Sequence, residues 1–130
     1  MKKKVITFGT FDVLHVGHLN LLERAAKLGE RLIVGVSTDA LNISKKGRHP
    51  VYAEDERVRL VQALRCVDEV FLEHSLEEKL EYVREYRADI LVMGDDWLGR
   101  FDWLLPWCEV IYLPRTPSIS TTEVIERIRT

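Results

Sequence analysis

Short runs of β-branched and aromatic residues alternate along this chain with stretches whose apolar positions recur every three or four residues. Val5-Ile6-Thr7-Phe8, closed by Gly9, predicts a strand. From residue 17 or 18 to 28 the pattern turns helical: Leu19, Leu22, Ala25 and Ala26 share a face, and Gly29 supplies a stop. A second buried strand is predicted over 32–36. Ser37-Thr38-Asp39 then opens a polar connection, and Lys45-Lys46-Gly47-Arg48-His49-Pro50 reads as an exposed basic loop. A helix over 54–64 faces inward through Val58, Val61 and Leu64, and a strand follows over 67–72. The next helix, over 76–86, gathers Leu76, Leu80 and Val83 on one side. Ile90-Leu91-Val92-Met93, closed by Gly94, and Val110-Ile111-Tyr112-Leu113 are the last two strands. The final helix, from 120 to 129, begins with a capping box of Ser120 and Glu123.

Strands that are continuously apolar and alternate with amphipathic helices imply an α/β fold, a five-stranded parallel sheet with helices on both faces. Ligands of such sheets bind beyond the carboxyl ends of the strands, near the switch in strand order. The unusual residues of this chain fall at those ends. His15 and His18 follow the first strand, Lys45 and Lys46 lie beyond the second, Asp95 and Asp96 follow the fourth, and Arg115 and Thr116 follow the fifth. Four separate stretches are expected to converge on one edge.

A chain of 130 residues, 46% hydrophobic, fits a single domain over 1–130 with a real core. Its net charge of −2 favours neither nucleic acid nor an anionic membrane as a bulk partner. No stretch reaches the roughly 20 apolar residues of a membrane span, and the apolar run after Met1-Lys2-Lys3-Lys4 is too short for a signal peptide. Cys66 and Cys108 stand apart in apolar surroundings, as two small buried hydrophobes in a reducing, cytoplasmic setting would.

His15 and His18 bracket a glycine at a helix start. A zinc site is one reading, but no Glu follows His15 as in H-E-x-x-H and no Cys is near, so a third ligand would have to be Asp12, Asp95 or Asp96. A capping histidine and a core histidine are another. The third is an anion. Gly17 opens the first turn to close approach, and the first-turn N–H groups and the helix dipole favour negative charge. The tail Arg115-Thr116-Pro117-Ser118-Ile119-Ser120-Thr121-Thr122 adds a guanidinium, hydroxyls and a second helix start, all suited to phosphate oxygens. Lys45, Lys46 and Arg48 then read as a clamp over a polyanion.

Gly9-Thr10-Phe11-Asp12-Val13-Leu14-His15-Val16-Gly17-His18 resembles the H-x-G-H signature of the nucleotidyltransferase superfamily, and the 115–122 tail resembles the R-T-x-G-I-S-T-T signature of its cytidylyltransferase branch. With Val92-Met93-Gly94-Asp95-Asp96-Trp97, Val67-Asp68-Glu69-Val70 and Cys108-Glu109-Val110, the likeness to the bacterial glycerol-3-phosphate cytidylyltransferases extends over nearly the whole chain. It implies a Rossmann-like fold and a homodimer. The implied reaction joins CTP to a phosphorylated alcohol, with Mg2+ carried by the triphosphate and not by protein ligands. His15, His18, Lys45 and Arg115 are implied as catalytic. Gly9, Thr10, Phe11, Gly17, Asp96, Thr116, Ser120 and Thr121 are implied as nucleotide contacts, and Lys46, Arg57 and Arg65 as contacts to the acceptor phosphate. The chain departs from the pattern at Pro117-Ser118, where the family has x-G beside the base pocket. It departs again at Leu76, where some members carry an aromatic residue near the acceptor.

Overall fold

The computed structural model describes residues 2–116 and 119–129. Five strands, β1 (Lys4–Gly9), β2 (Arg31–Ser37), β3 (Glu69–Glu73), β4 (Ile90–Gly94) and β5 (Glu109–Leu113), form one sheet in the order β3-β2-β1-β4-β5. Every pairing is parallel. The chain first walks outward from β1 to β3, then returns to the other side of β1 for β4 and β5. The order therefore reverses between β1 and β4, which opens a crevice above their carboxyl ends.

Alternation along the strands divides the core into two layers. Val5, Leu32, Val34, Val36 and Val92 face Leu22 and Ala25 of α1 (Val16–Ala26) and Val61 of α3 (Glu54–Gln62). Ile6, Phe8, Ile33, Leu91 and Met93 face Tyr82 and Val83 of α4 (Lys79–Glu85), together with Phe101, Leu104 and Cys108 from the β4–β5 connection. That connection, expected as a loop, contains two 3-10 turns, Asp95–Trp97 and Asp102–Leu104. Cys108 is buried, whereas Cys66 is only partly so. Among the described residues no helix is long and apolar enough to cross a membrane.

The polar connection after β2 is also more ordered than its composition suggests. It forms α2 (Asp39–Lys46), capped by the Thr38 hydroxyl, which accepts from Leu41 N–H at 3.0 Å. Gly47 ends it at φ 73°, the left-handed conformation that glycine adopts without cost. Lys45 and Lys46 thus ride on the last turn of a helix and not on an open loop. The last helix, α5 (Thr121–Arg129), begins where Ser120 Oγ accepts from Glu123 N–H at 3.1 Å, the capping bond its sequence predicts.

Candidate active site

The connection from β1 to α1 is strained. Phe11 and Val13 both take positive φ, 52° and 48°. Such conformations cost about 1–3 kcal/mol each and persist only where their surroundings hold them. Here the Phe11 ring packs over Gly9, where an added Cβ would stand 2.9 Å from the ring. The Asp12 carboxylate accepts from Val51 N–H at 2.7 Å and Tyr52 N–H at 2.9 Å, and its carbonyl accepts from the Thr121 hydroxyl at 2.9 Å. One residue thereby ties the first loop to the segment before α3 and to the start of α5.

This loop delivers the two histidines into a reciprocal cap. His15 is the N-cap of α1, and its Nδ1 accepts from Gly17 N–H at 3.0 Å. The Nδ1 of His18, one turn on, accepts from His15 N–H at 3.1 Å. Two imidazoles do the work that Ser and Glu do in an ordinary capping box. The rings stack with centroids 3.8 Å apart and 24° between planes, and Phe11 sets its ring edgewise against His18 at 5.5 Å. Because both Nδ1 atoms accept backbone N–H groups, the neutral rings carry their protons on Nε2. The tautomer, open in the sequence, follows from these bonds. Each histidine keeps an Nε2–H to donate.

Gly17 serves this arrangement. A Cβ there would lie 2.8 Å from His15 Cε1 and 2.9 Å from its Nδ1. The glycine gives room to the His15 ring folded over the first turn, in addition to exposing the backbone. Gly17→Ala is expected to displace that ring. Turnover should fall while circular dichroism shows the helices retained, and a fully active variant would contradict the assignment.

Burial, with the charge of His15 as a second cause and Asp12 opposing, lowers the His18 pKa from 6.5 to about 4. Burial and then Arg115 lower that of His15 as well. Both rings are therefore neutral at pH 7. For stability the sign is definite. Unfolded His18 gains its proton near pH 6.5, folded His18 only near 4, so the folded state is progressively destabilised as the pH falls through that window. The loss approaches about 3 kcal/mol. Denaturant midpoints measured from pH 7 to 4 should drop less steeply in His18→Gln.

The crevice over β1 and β4 is a cleft of about 840 Å3. Gly9, Thr10, Phe11, His15, Gly17, His18, Lys45, Lys46, Asp96, Arg115, Thr116, Ser120 and Thr121 all line it. The four stretches expected to converge do so. Asp96 belongs to the cleft and folds back over Gly94, where a Cβ would lie 2.7 Å from its Oδ1; Asp95 is not among the lining residues. Thr116 is held by Asn20, which donates to its hydroxyl at 3.1 Å. The Thr10 hydroxyl donates to Asn42 Oδ1 at 2.8 Å, anchoring the first loop to α2. Leu76 lines the cleft as well, while Pro117 and Ser118 lie outside the described residues.

Two expectations need correction. Arg57 is fully buried and all its visible partners are internal. It donates to the carbonyls of Tyr52, Thr10 and Ser37 at 2.9, 2.8 and 2.8 Å and to Asp39 Oδ1 at 2.7 Å. It braces the loops that make the cleft and has no path to an acceptor phosphate. Arg65 is exposed after α3, on the chain leading into β3. In a parallel sheet that is the amino edge, opposite the cleft. The sequence reading weighed Asp12 only as a zinc ligand and gave Asn42, Glu73 and Lys79 no role in the site, although all four line the cleft. Only Glu73, a charge closing an apolar strand, left a visible signal.

Among the described residues no three His, Cys, Asp or Glu side chains gather as a metal site. The histidines' Nδ1 atoms already accept backbone protons, and both Asp12 carboxylate oxygens are occupied. What the site offers is neutral donors, cations and two helix starts, the chemistry that receives phosphates.

Comparison with known proteins agrees with that geometry. The chain is 48% identical over 126 residues to the glycerol-3-phosphate cytidylyltransferase of Bacillus subtilis (strain 168), covering 97% of each chain. It is 44% identical to that of Staphylococcus aureus (strain NCTC 8325 / PS 47), covering 97% of this chain and 95% of the other. Among solved structures, the lipopolysaccharide core biosynthesis protein from Thermoplasma volcanium GSS1 superposes with a TM-score of 0.75 at 26% identity, over 89% of this chain and 99% of that one. A profile of the Cytidylyltransferase-like family matches residues 6–127, and the chain belongs to that family.

Proposed function

We propose that this protein transfers a cytidylyl group from CTP to glycerol 3-phosphate, forming CDP-glycerol and pyrophosphate. The observation that carries the reading is the reciprocal imidazole cap. It leaves two neutral Nε2–H donors side by side at a helix start, in a cleft rimmed by Lys45, Lys46 and Arg115. The relatives named glycerol-3-phosphate cytidylyltransferase support the choice of base and acceptor.

A phosphate monoester is already a nucleophile at neutral pH, so transfer needs neither an enzymic nucleophile nor a strong base. An acceptor oxygen attacks the α-phosphorus in line and pyrophosphate departs. The protein brings two anions together and stabilises the charge that grows on the α- and β-phosphates. His15 and His18 donate to those oxygens from Nε2. Arg115, beside His15, and the N-terminus of α5, with Ser120 and Thr121, take the rest of the triphosphate. Asp96 and Thr116 bound the nucleoside end, and Lys45 and Lys46 face the acceptor phosphate. Preorganisation comes from Asp12, Asn20, Asn42 and Arg57, whose bonds hold the loops before substrate arrives.

The reading places Mg2+ on the phosphates of CTP, with which it enters; among the described residues no three His, Cys, Asp or Glu side chains gather as a metal site. Such an ion supplies neutralisation of the triphosphate and of the leaving group. A cytoplasmic homodimer completes the reading. Trp103, Leu105 and Trp107 stand 48, 55 and 49% exposed while Leu104 between them is buried, an apolar face suited to a second copy.

Pyrophosphate release, measured with CTP or ATP against a panel of phospho-alcohols, tests the proposal. Glycerol 3-phosphate with CTP and Mg2+ is expected to give the highest kcat/KM. Preference for ATP would overturn the base, preference for another phospho-alcohol would overturn the acceptor, and CTP binding with no turnover would make the protein a nucleotide-binding module.

A further inference from the structure

Two side chains of α1 hold the segment that carries Arg115. Asn20 donates from Nδ2 to the Thr116 hydroxyl at 3.1 Å, and Arg24 donates from Nη1 to the Pro114 carbonyl at 2.9 Å. The two donors lie one turn apart on the same side of the helix, as residues four apart do. Neither lines the cleft, whereas Pro114, Arg115 and Thr116 all do. Arg115 therefore stands between two residues that are tied to one helix.

The guanidinium itself has no such tie. Among the described residues no ion pair restrains Arg115, and its long side chain is exposed. Where it reaches depends on where its backbone is held. β5 ends at Leu113, and beyond that residue the sheet no longer holds the chain. The hold comes from α1, on either side of residue 115. That helix also carries the imidazole cap in its first turn, and Arg115 is close enough to His15 to oppose its protonation. One rigid element thus sets the guanidinium relative to the two neutral donors.

We propose that Asn20 and Arg24 are positioning residues: by holding Thr116 and Pro114 against α1, they keep Arg115 at the imidazole pair, ready for the nucleotide's phosphates. This rests on the cytidylyltransferase reading of the cleft. Both residues act only through the segment 114–116. Without them that segment swings on the end of β5, and an arriving triphosphate must order it on binding, which weakens affinity.

Asn20→Ala, Arg24→Met and the double variant test the role, with Arg24→Lys as the conservative replacement that can still donate to Pro114. Arg24 is exposed and Asn20 half-buried, so neither substitution opens the core. Each single change is expected to raise the KM for CTP about three- to tenfold, and the two together about tenfold or more, with the KM for glycerol 3-phosphate little changed. Arg24→Lys should stay near native values. In an Arg115→Ala background Arg24→Met should add nothing, because the group it positions is gone. The titration of His15, followed by NMR on the free protein, gives a readout that a merely structural role would not move. It should shift upwards in the double variant, as in Arg115→Ala, while that of His18, set by burial, His15 and Asp12, stays in place. A penalty for Arg24→Met as large without Arg115 as with it, a native KM for CTP in the double variant, or a His15 titration indifferent to the substitutions would overturn the proposal. The titration needs no nucleotide. A His15 that follows the substitutions in a protein that transfers nothing would count against the functional reading alone.

Discussion

His15→Asn and His18→Gln will each lower the rate of cytidylyl transfer by about 10²–10³ while leaving the fold in place. These substitutions are chosen to separate two roles that the structure gives to the same rings. Each Nδ1 accepts a backbone N–H and caps α1; each Nε2–H is free to meet a phosphate oxygen. Asn is among the best N-cap residues, and Gln is the residue a capping box takes at the third helical position. Capping is thus retained and the aimed Nε2–H is lost. Alanine at either position removes both, and adds about 1 kcal/mol of instability to the same loss of rate. The effect should fall on kcat more than on either KM, because the donors meet charge that develops in the transition state. Rates measured with CTP, glycerol 3-phosphate and Mg2+, beside thermal melts, decide the matter. A variant with native kcat would remove the histidines from the mechanism. A variant that loses rate only in proportion to folded protein would reduce them to caps.

The neutrality of the pair adds a condition. Burial shifts both histidines below their ordinary range, and His18, lowered to about 4, does not change charge between pH 6 and 8. A limb of the rate profile in that interval therefore does not report His18; the second ionisation of the acceptor's phosphate is one group that titrates there.

The histidines were legible because chemistry and topology agreed in the sequence. An apolar strand, a glycine and a helix pattern put His15 and His18 at a carboxyl edge whatever their neighbours did. Lys45, Asp96, Arg115 and the hydroxyls of the tail were placed by the same rule, since continuous apolar runs alternating with helices imply parallel strands, whose carboxyl ends share one edge. The polar connection after β2 was harder. Its eight-residue helix buries only Leu41 and Asn42, too few for a periodicity to stand out, although Thr38 and Gly47 are ordinary start and stop residues. Roles that depend on tertiary contact were not legible at all. Nothing in the local sequence around Asp12 announces bonds to Val51 and Tyr52, and nothing around Asn20 announces Thr116. Family likeness carried Arg57 and Arg65 toward the acceptor because a cation near a phosphate site invites that role. Burial of one and the wrong sheet edge for the other are facts of the folded chain.

Arg57→Ala will therefore act on stability before it acts on substrate. Its fully buried guanidinium satisfies the Tyr52, Thr10 and Ser37 carbonyls and the Asp39 carboxylate. Removal leaves three carbonyls short of a donor and loosens Asp39, whose other oxygen caps α3 through Glu54 N–H at 3.3 Å. Breaking a buried pair of this kind costs about 3–5 kcal/mol, a large part of the roughly 5–15 kcal/mol by which a domain is folded. The melting temperature should fall by roughly 10–20 °C. Arg57→Lys should recover little of it, because an ammonium cannot reproduce the planar fork that reaches three backbone oxygens and a carboxylate at once. What remains folded at low temperature should lose affinity for both substrates, since Thr10 and Asp39 brace the loops that shape the whole cleft. Arg65→Ala, from the opposite edge, should leave both KM values as they were. An Arg57→Ala protein with a native melting temperature and a raised KM for glycerol 3-phosphate alone would return this arginine to the acceptor's phosphate.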